Sequence, residues 1–252
     1  GTSADVINLY QNYPFYILWD FVSDAVSYTA SFEGSKEDSK DGWSTLVLPF
    51  EATQVSCEGE PVDWFKSASD AGKNFWLYQF VGESGSTVEF DYTSSLNAYT
   101  PYLINVPGDA WGTENQLTGK EITFSGSSAT LKSSASVLWT GTNYLMTGSL
   151  QQTEVTDAYV MNASGTQFAK STGTVPAFEA CFKDKTKNLY TTALTIGFVN
   201  ADEATGIKEL KDSKTEASKA DGGWFTLTGV KLTAKPTEKG IYINNGKKVI
   251  IK

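Results

Sequence analysis

Trp111 stands between Pro107-Gly108-Asp109-Ala110 and Gly112-Thr113-Glu114-Asn115-Gln116, an aromatic residue on a loop among side chains able to hydrogen-bond. That combination suits carbohydrate recognition. A flat ring gives apolar contact to a sugar face, while groups such as Asp109, Asn115 and Gln116 bond its hydroxyls. Trp64 and Trp139 also sit in polar or turn-like surroundings, and seven Trp with twelve Tyr are more rings than a core requires. Trp111, Asp109, Asn115, Trp64 and Trp139 are therefore the candidate ligand-binding residues. Aromatic residues also favour strands and cap the ends of sandwiches, which is the competing reason for any one of them.

Other chemistry is narrowed by what is missing. All twenty basic residues are Lys, so the chain has neither His nor Arg. Without imidazole there is no acid and base of ordinary pKa near neutrality, no Ser-His or Cys-His nucleophile and no His metal ligand. Without guanidinium there is no bidentate clamp for phosphate, and a net charge of -9 opposes nucleic acid. A carboxylate pair is the one enzymatic mechanism left, since glycoside hydrolysis runs on two acids roughly 5 to 10 Å apart. Asp20 with Asp24 and Glu89 with Asp91 are nameable pairs, but nothing singles them out. Asp202-Glu203 near Asn200 is the densest oxygen cluster and lacks the spaced Asp-x-Asp-x-Asp-Gly pattern of a calcium loop. The expectation is a noncatalytic protein without cofactor, metal or nucleic-acid partner.

The elements that must position these residues read as β throughout. Val88-Glu89-Phe90-Asp91-Tyr92 and Glu121-Ile122-Thr123-Phe124 alternate apolar and polar residues, as half-buried strands do. Residues 43–50, 75–81, 102–106, 144–150, 158–161 and 194–199 are further strands, punctuated by turn residues at 82–85, 107–109, 125–128 and 163–165. Phe15, Ile17, Trp19 and Phe21 alternate at strand period, so residues 15–21 read as a strand whose rings are mostly core, with Tyr16, Leu18 and Asp20 facing the other way. Residues 34–42 read as a charged, solvated hairpin tip. Short strands at this spacing point to an antiparallel β-sandwich body over residues 1–199, as one domain or two sub-domains. At 252 residues such a fold buries roughly 70 to 75% of its unfolded surface and needs no staples. Cys57 and Cys181 are far apart, and a long-range disulfide and two buried thiols both fit them.

Residues 200–222 are polar and rich in Lys, Glu, Asp, Ser and Ala, and read as a linker. Beyond it, Thr228-Gly229 and Asn245-Gly246 each separate two short apolar runs, the second being a strong hairpin signal. Residues 223–252 are thus expected to form a small β-meander. So short a segment cannot enclose a core and is expected to dock, helped by a charge of +5 over residues 208–252 against -14 over residues 1–207.

The run Trp224-Phe225-Thr226-Leu227-Thr228-Gly229-Val230-Lys231-Leu232, with Lys239-Gly240-Ile241-Tyr242-Ile243 and Asn245-Gly246-Lys247-Lys248-Val249, resembles the C-terminal segment of secreted surface proteins of Bacteroides and related gut bacteria. Val26-Ser27-Tyr28-Thr29, Trp43-Ser44-Thr45-Leu46-Val47-Leu48-Pro49-Phe50, Tyr99-Thr100-Pro101-Tyr102-Leu103-Ile104 and Phe178-Glu179-Ala180-Cys181-Phe182 are similar in order and spacing to the adjoining β-domain of those adhesin-like proteins. Val47 stands where Cys is frequent. Thr228-Gly229-Val230-Lys231 stands where Asp-Gly-Arg-Lys is usual. The resemblance implies an exported protein of the cell surface that adheres to or binds a glycan or host-matrix ligand, or else a spacer or assembly module without its own ligand. No signal peptide, lipobox or apolar run of membrane-spanning length is present, and the start at Gly1 fits a trimmed export signal and a cleavage scar.

Overall fold

A computed structural model describes residues 3–35, 41–63, 75–108, 116–186, 190–199, 224–226, 231–232, 237, 240–244 and 247–251. Among these residues there is no helix, as the alternating patterns require. The chain divides into two units, Gly1–Lys208 and Glu209–Lys252.

Along the first unit the strands are β1 (Ser3–Tyr10), β2 (Phe21–Ala30), β3 (Ser44–Leu46), β4 (Gln54–Cys57), β5 (Glu60–Pro61), β6 (Trp76–Ser84), β7 (Thr87–Tyr92) and β8 (Tyr102–Asn105). They continue as β9 (Ile122–Leu131), β10 (Leu138–Thr140), β11 (Tyr144–Ser149), β12 (Thr153–Met161), β13 (Gln167–Val175), β14 (Glu179–Asp184) and β15 (Ala193–Phe198). One sheet runs β1-β2-β9-β4-β5, the other β10-β11-β14-β12-β13-β15-β7-β6-β8-β3. Both are mixed, because β1 pairs parallel with β2 and β15 pairs parallel with β7.

Parity along β8 explains how the two sheets share a wall. Tyr102, Leu103, Ile104 and Asn105 are all buried, so neither face of this strand meets water. Tyr102 and Ile104 belong to a core with Leu46 and Leu77, and with Val26, Tyr28, Phe124 and Val55 of the five-stranded sheet. Leu103 points the other way, into a second core with Val47, Tyr78, Phe80, Phe90, Phe168 and Phe182. The rings meet edge to face, as the aromatic quadrupole favours: Phe80 and Phe168 each lie 4.9 Å from Phe182, at 79° and 87°.

The ten-stranded sheet encloses the second core by curling until β3 returns to β14. Val47 N–H donates to Phe178 O at 2.8 Å, and the buried Thr45 hydroxyl accepts from Ala180 N–H at 2.9 Å and donates to Ala180 O at 3.2 Å. A side chain here does the work of a missing ladder rung. Cys57 lies in the first core and Cys181 in a small separate cluster with Val155, Ala158 and Val175. Both are free thiols whose pKa is raised by burial, so of the two readings the buried-thiol one holds.

Residues 15–21 depart from expectation. Residues 11–20 form no strand, and only Phe21 enters one, as the first residue of β2. Asn12, with φ of 68°, turns the chain out of β1, and residues 11–20 then cross over to bring β2 parallel to it. Phe15, Ile17 and Phe21 do pack on the first core, but Tyr13, Tyr16, Leu18 and Trp19 are exposed.

In the second unit, β16 (Trp224–Thr226), β17 (Lys231–Leu232), β18 (Gly240–Asn244) and β19 (Lys247–Ile251) form an antiparallel sheet in the order β17-β16-β18-β19. Both expected hairpin pairings are present, with Trp224 opposite Leu232 and Asn244 opposite Lys247. The order departs from a strict meander because β18 gains three residue pairs on β16, more than the two residues of β17 can offer. The linker expected at 200–222 and the Thr228-Gly229 and Asn245-Gly246 turns lie outside the described residues.

Thr45→Val keeps the shape of the side chain but leaves the Ala180 N–H and C=O buried without their partner. It is expected to lower unfolding free energy by about 2 to 3 kcal/mol, and Thr45→Ser, which retains the hydroxyl, by only about 1 kcal/mol. Urea denaturation of the three proteins measures this, and equal losses in both variants would show that the methyl, not the hydroxyl, holds the seam.

Candidate functional site

The crossover exposes its rings beside a cavity of about 330 Å³, whose walls are the crossover at Phe15–Ile17, the loop 132–137 and the end of β11 with Leu150 and Gln151. Tyr16 is 65% exposed on one side. Lys132, four serines and Gln151 supply polar groups around the rest. An apolar ring over a concavity lined by hydroxyls, an amide and an ammonium can bind a polyhydroxylated ligand, the ring by its face and the rim by hydrogen bonds.

Each wall is held by a hydrogen bond. Phe15 N–H donates to Leu150 O at 2.8 Å, which ties the crossover to the end of β11. Ser133 donates to Asp20 Oδ1 twice, from its backbone N–H and from its hydroxyl, each at 2.8 Å. Those bonds, the backbone one foremost, hold the Asp20 carboxyl below its ordinary pKa, with a smaller contribution from the Lys132 charge. Lys132 N–H donates to the Tyr99 hydroxyl at 2.6 Å. Tyr99 itself has φ of 57°, a left-handed conformation that costs a bulky residue about 1 to 3 kcal/mol and that concentrates where geometry must be exact. Its N–H is anchored on Leu48 O at 2.7 Å. Leu150 packs on both cores of the unit, so the cavity lies where they adjoin.

Of the residues singled out from sequence, Trp64, Asp109, Trp111 and Asn115 lie outside the described residues. Trp139 is on β10, a three-residue edge strand opposite Met146, and is 41% exposed beside exposed Leu138. It follows the 132–137 wall in sequence but does not line the cavity. Asp20, considered as one of a carboxylate pair, accepts hydrogen bonds from Ser133. Glu89 and Asp91 flank buried Val88 and Phe90 on the outer side of β7, which is ordinary strand alternation. Tyr16 and Trp19 were missed as site residues because strand-period reading placed their segment in a sheet. Asn12 and Pro14, poor strand formers, are the signal that pointed the other way.

A second cavity, of about 480 Å³, lies between residues 41–45 and 161–165 and includes Glu33, Asp41 and Glu179 in its wall. Gly42 N–H and Trp43 N–H donate to Ser164 O and Gly165 O, and Gly165 has φ of 65° with no room for a Cβ against the Trp43 backbone. Glu179 begins β14, next to the Thr45 seam, and burial lifts its carboxyl pKa from 4.5 to about 7. Among the described residues no group of three or more Cys, Asp or Glu is placed to hold a metal ion, so these carboxyls share a cavity wall without converging. No helix of the described residues is long and apolar enough to cross a membrane.

Comparison of the chain with protein-family models, with curated proteins and with solved structures finds no match.

Because the chain has no His, Glu179 is the described side chain whose titration falls near neutrality. The folded state keeps its proton at pH values where the unfolded state, with a carboxyl near 4.5, has lost it. Stability is therefore fullest at and below the unfolded value, declines as pH rises towards 7, and is lower by up to about 3 kcal/mol above it. Tyr28, whose hydroxyl is raised by burial and then by the Glu179 charge, and the cavity carboxyls Glu33 and Asp41 give ionised Glu179 no compensating cation. Urea unfolding at about pH 5 and about pH 8 should show the loss, and Glu179→Gln should abolish it by stabilising the protein at the higher pH. A parent protein equally stable at both would mean an ordinary carboxyl.

Proposed function

We propose that this is a noncatalytic recognition protein acting outside the cell, with the aromatic crossover at residues 11–20 as its binding surface and a glycan as its ligand. One observation carries the reading. Tyr16 and Trp19 hold their rings in solvent, at 65% and 62% exposure, on a segment whose neighbouring residues are anchored to the core. Exposed rings on a fixed backbone lose little conformational entropy on binding and present a large contact face. The hydroxyl and amide groups of the adjoining wall provide the directional part of recognition. Absence of His and Arg supports the noncatalytic part of the proposal, and the resemblance of residues 224–249 to surface-protein segments supports the location.

The test is a screen of the purified chain against immobilised glycans and extracellular-matrix proteins, with Tyr16→Ala and Asp20→Ala as paired variants. Saccharide binding that falls about tenfold or more in Tyr16→Ala, and less in Asp20→Ala where only the far wall loosens, is the expected result. Circular dichroism should be unchanged, since Tyr16 is outside the core. A blank across the panel would favour a spacer without its own ligand. Binding to matrix proteins alone would replace the glycan by a protein partner.

A further inference from the structure

Beyond Tyr16 the crossover changes character. Ile17, which lines the polar cavity, also lines an open hollow of about 330 Å³ on its other side, formed with Leu18, Trp19, Phe21 and, from β1, Ala4 and Ile7. Ser3 is the one polar side chain among the residues that line it. Leu18 and Trp19 are both more than half exposed there. Large apolar side chains gathered on one surface are unfavourable in water unless something covers them.

We infer that the site takes an amphiphile, with a hydroxyl-rich head group in the polar cavity and an aliphatic chain in the hollow beside Trp19. This rests on the recognition reading above and names the ligand class of that site. Continuity carries it, because Ile17 is common to both cavities and successive residues of one short segment turn first towards polar groups and then towards apolar ones. Size agrees. Each cavity alone is at the lower end of the roughly 300 to 1,000 Å³ typical of ligand sites, whereas the two together fall well inside it. The hollow offers almost no hydrogen-bonding group, so a second sugar would leave its hydroxyls unpaired there, at a cost of about 1 to 3 kcal/mol for each one buried. An alkyl chain leaves nothing unpaired and removes the Leu18 and Trp19 surfaces from water.

Calorimetric titration of the full chain with methyl, butyl, hexyl and octyl glucoside, each below its micelle concentration, tests this. Affinity is expected to rise about two- to threefold per added methylene, below the factor of about four for complete burial because the hollow is open. Trp19→Ala and Leu18→Ser should flatten the series, so that octyl glucoside gains little or no affinity over methyl glucoside in either variant. Quenching or a blue shift of Trp fluorescence in the parent, lost in Trp19→Ala, would place the chain at this ring. A series without dependence on chain length overturns the inference, as does a dependence that both variants retain. Saccharide binding that needs Tyr16 but gains nothing from the chain leaves glycan recognition standing and removes only the amphiphile. The absence of any Tyr16-dependent saccharide binding removes both.

Discussion

Burial of β8 and its neighbours on both faces is the constraint on which the rest of the first unit depends. A strand of Tyr102, Leu103, Ile104 and Asn105 with no solvent side needs an apolar layer above and another below. The five-stranded sheet supplies one layer. The rest of the ten-stranded sheet supplies the other by curling back on itself, and the Thr45 hydroxyl bonding the Ala180 backbone makes the return. Two cores on either side of one wall follow directly, and so do the positions at which they adjoin.

The candidate site occupies such a position. Leu150 packs on both cores, and Phe15 is hydrogen-bonded to it, so the crossover is fixed where the two sheets meet at the surface. The parallel pairing of β1 with β2 has a further consequence. A parallel neighbour cannot be reached by a tight turn, so ten residues must travel outside the sheet to begin the next strand. Phe15, Ile17 and Phe21 anchor that path to the core. Tyr16, Leu18 and Trp19 are left in solvent by the same geometry, held by anchored neighbours.

Much of this was legible from residue pattern, although the turn expected at residues 125–128 lies within β9, where Ser125, Gly126 and Ser127 pair with β2. Strands with one apolar face, such as β7 with Val88 and Phe90, announce themselves because burial on one side selects every second residue. β1 and β13 did not, since both carry mostly exposed side chains and their strand character comes from pairing with β2 and β12. The candidate site was the least legible part. Alternation at residues 15–21 correctly told Phe15 and Ile17 from Tyr16 and Leu18, but it assigned Trp19 and Phe21 the same fate, and only Phe21 packs on the core.

The amino-acid sequence by itself determined the all-β character, the hairpin pairings of the C-terminal sheet and the exclusion of imidazole and guanidinium chemistry, because each follows from local residue type or from composition alone. Tertiary structure alone decided that β3 closes on β14, that Glu179 is largely buried and titrates near neutrality, and that the rings of the crossover face solvent. Those outcomes depend on which distant segment covers a given side chain. Period along a chain reports which residues share a face, while the presence of a neighbour on that face is a long-range fact that local pattern does not carry.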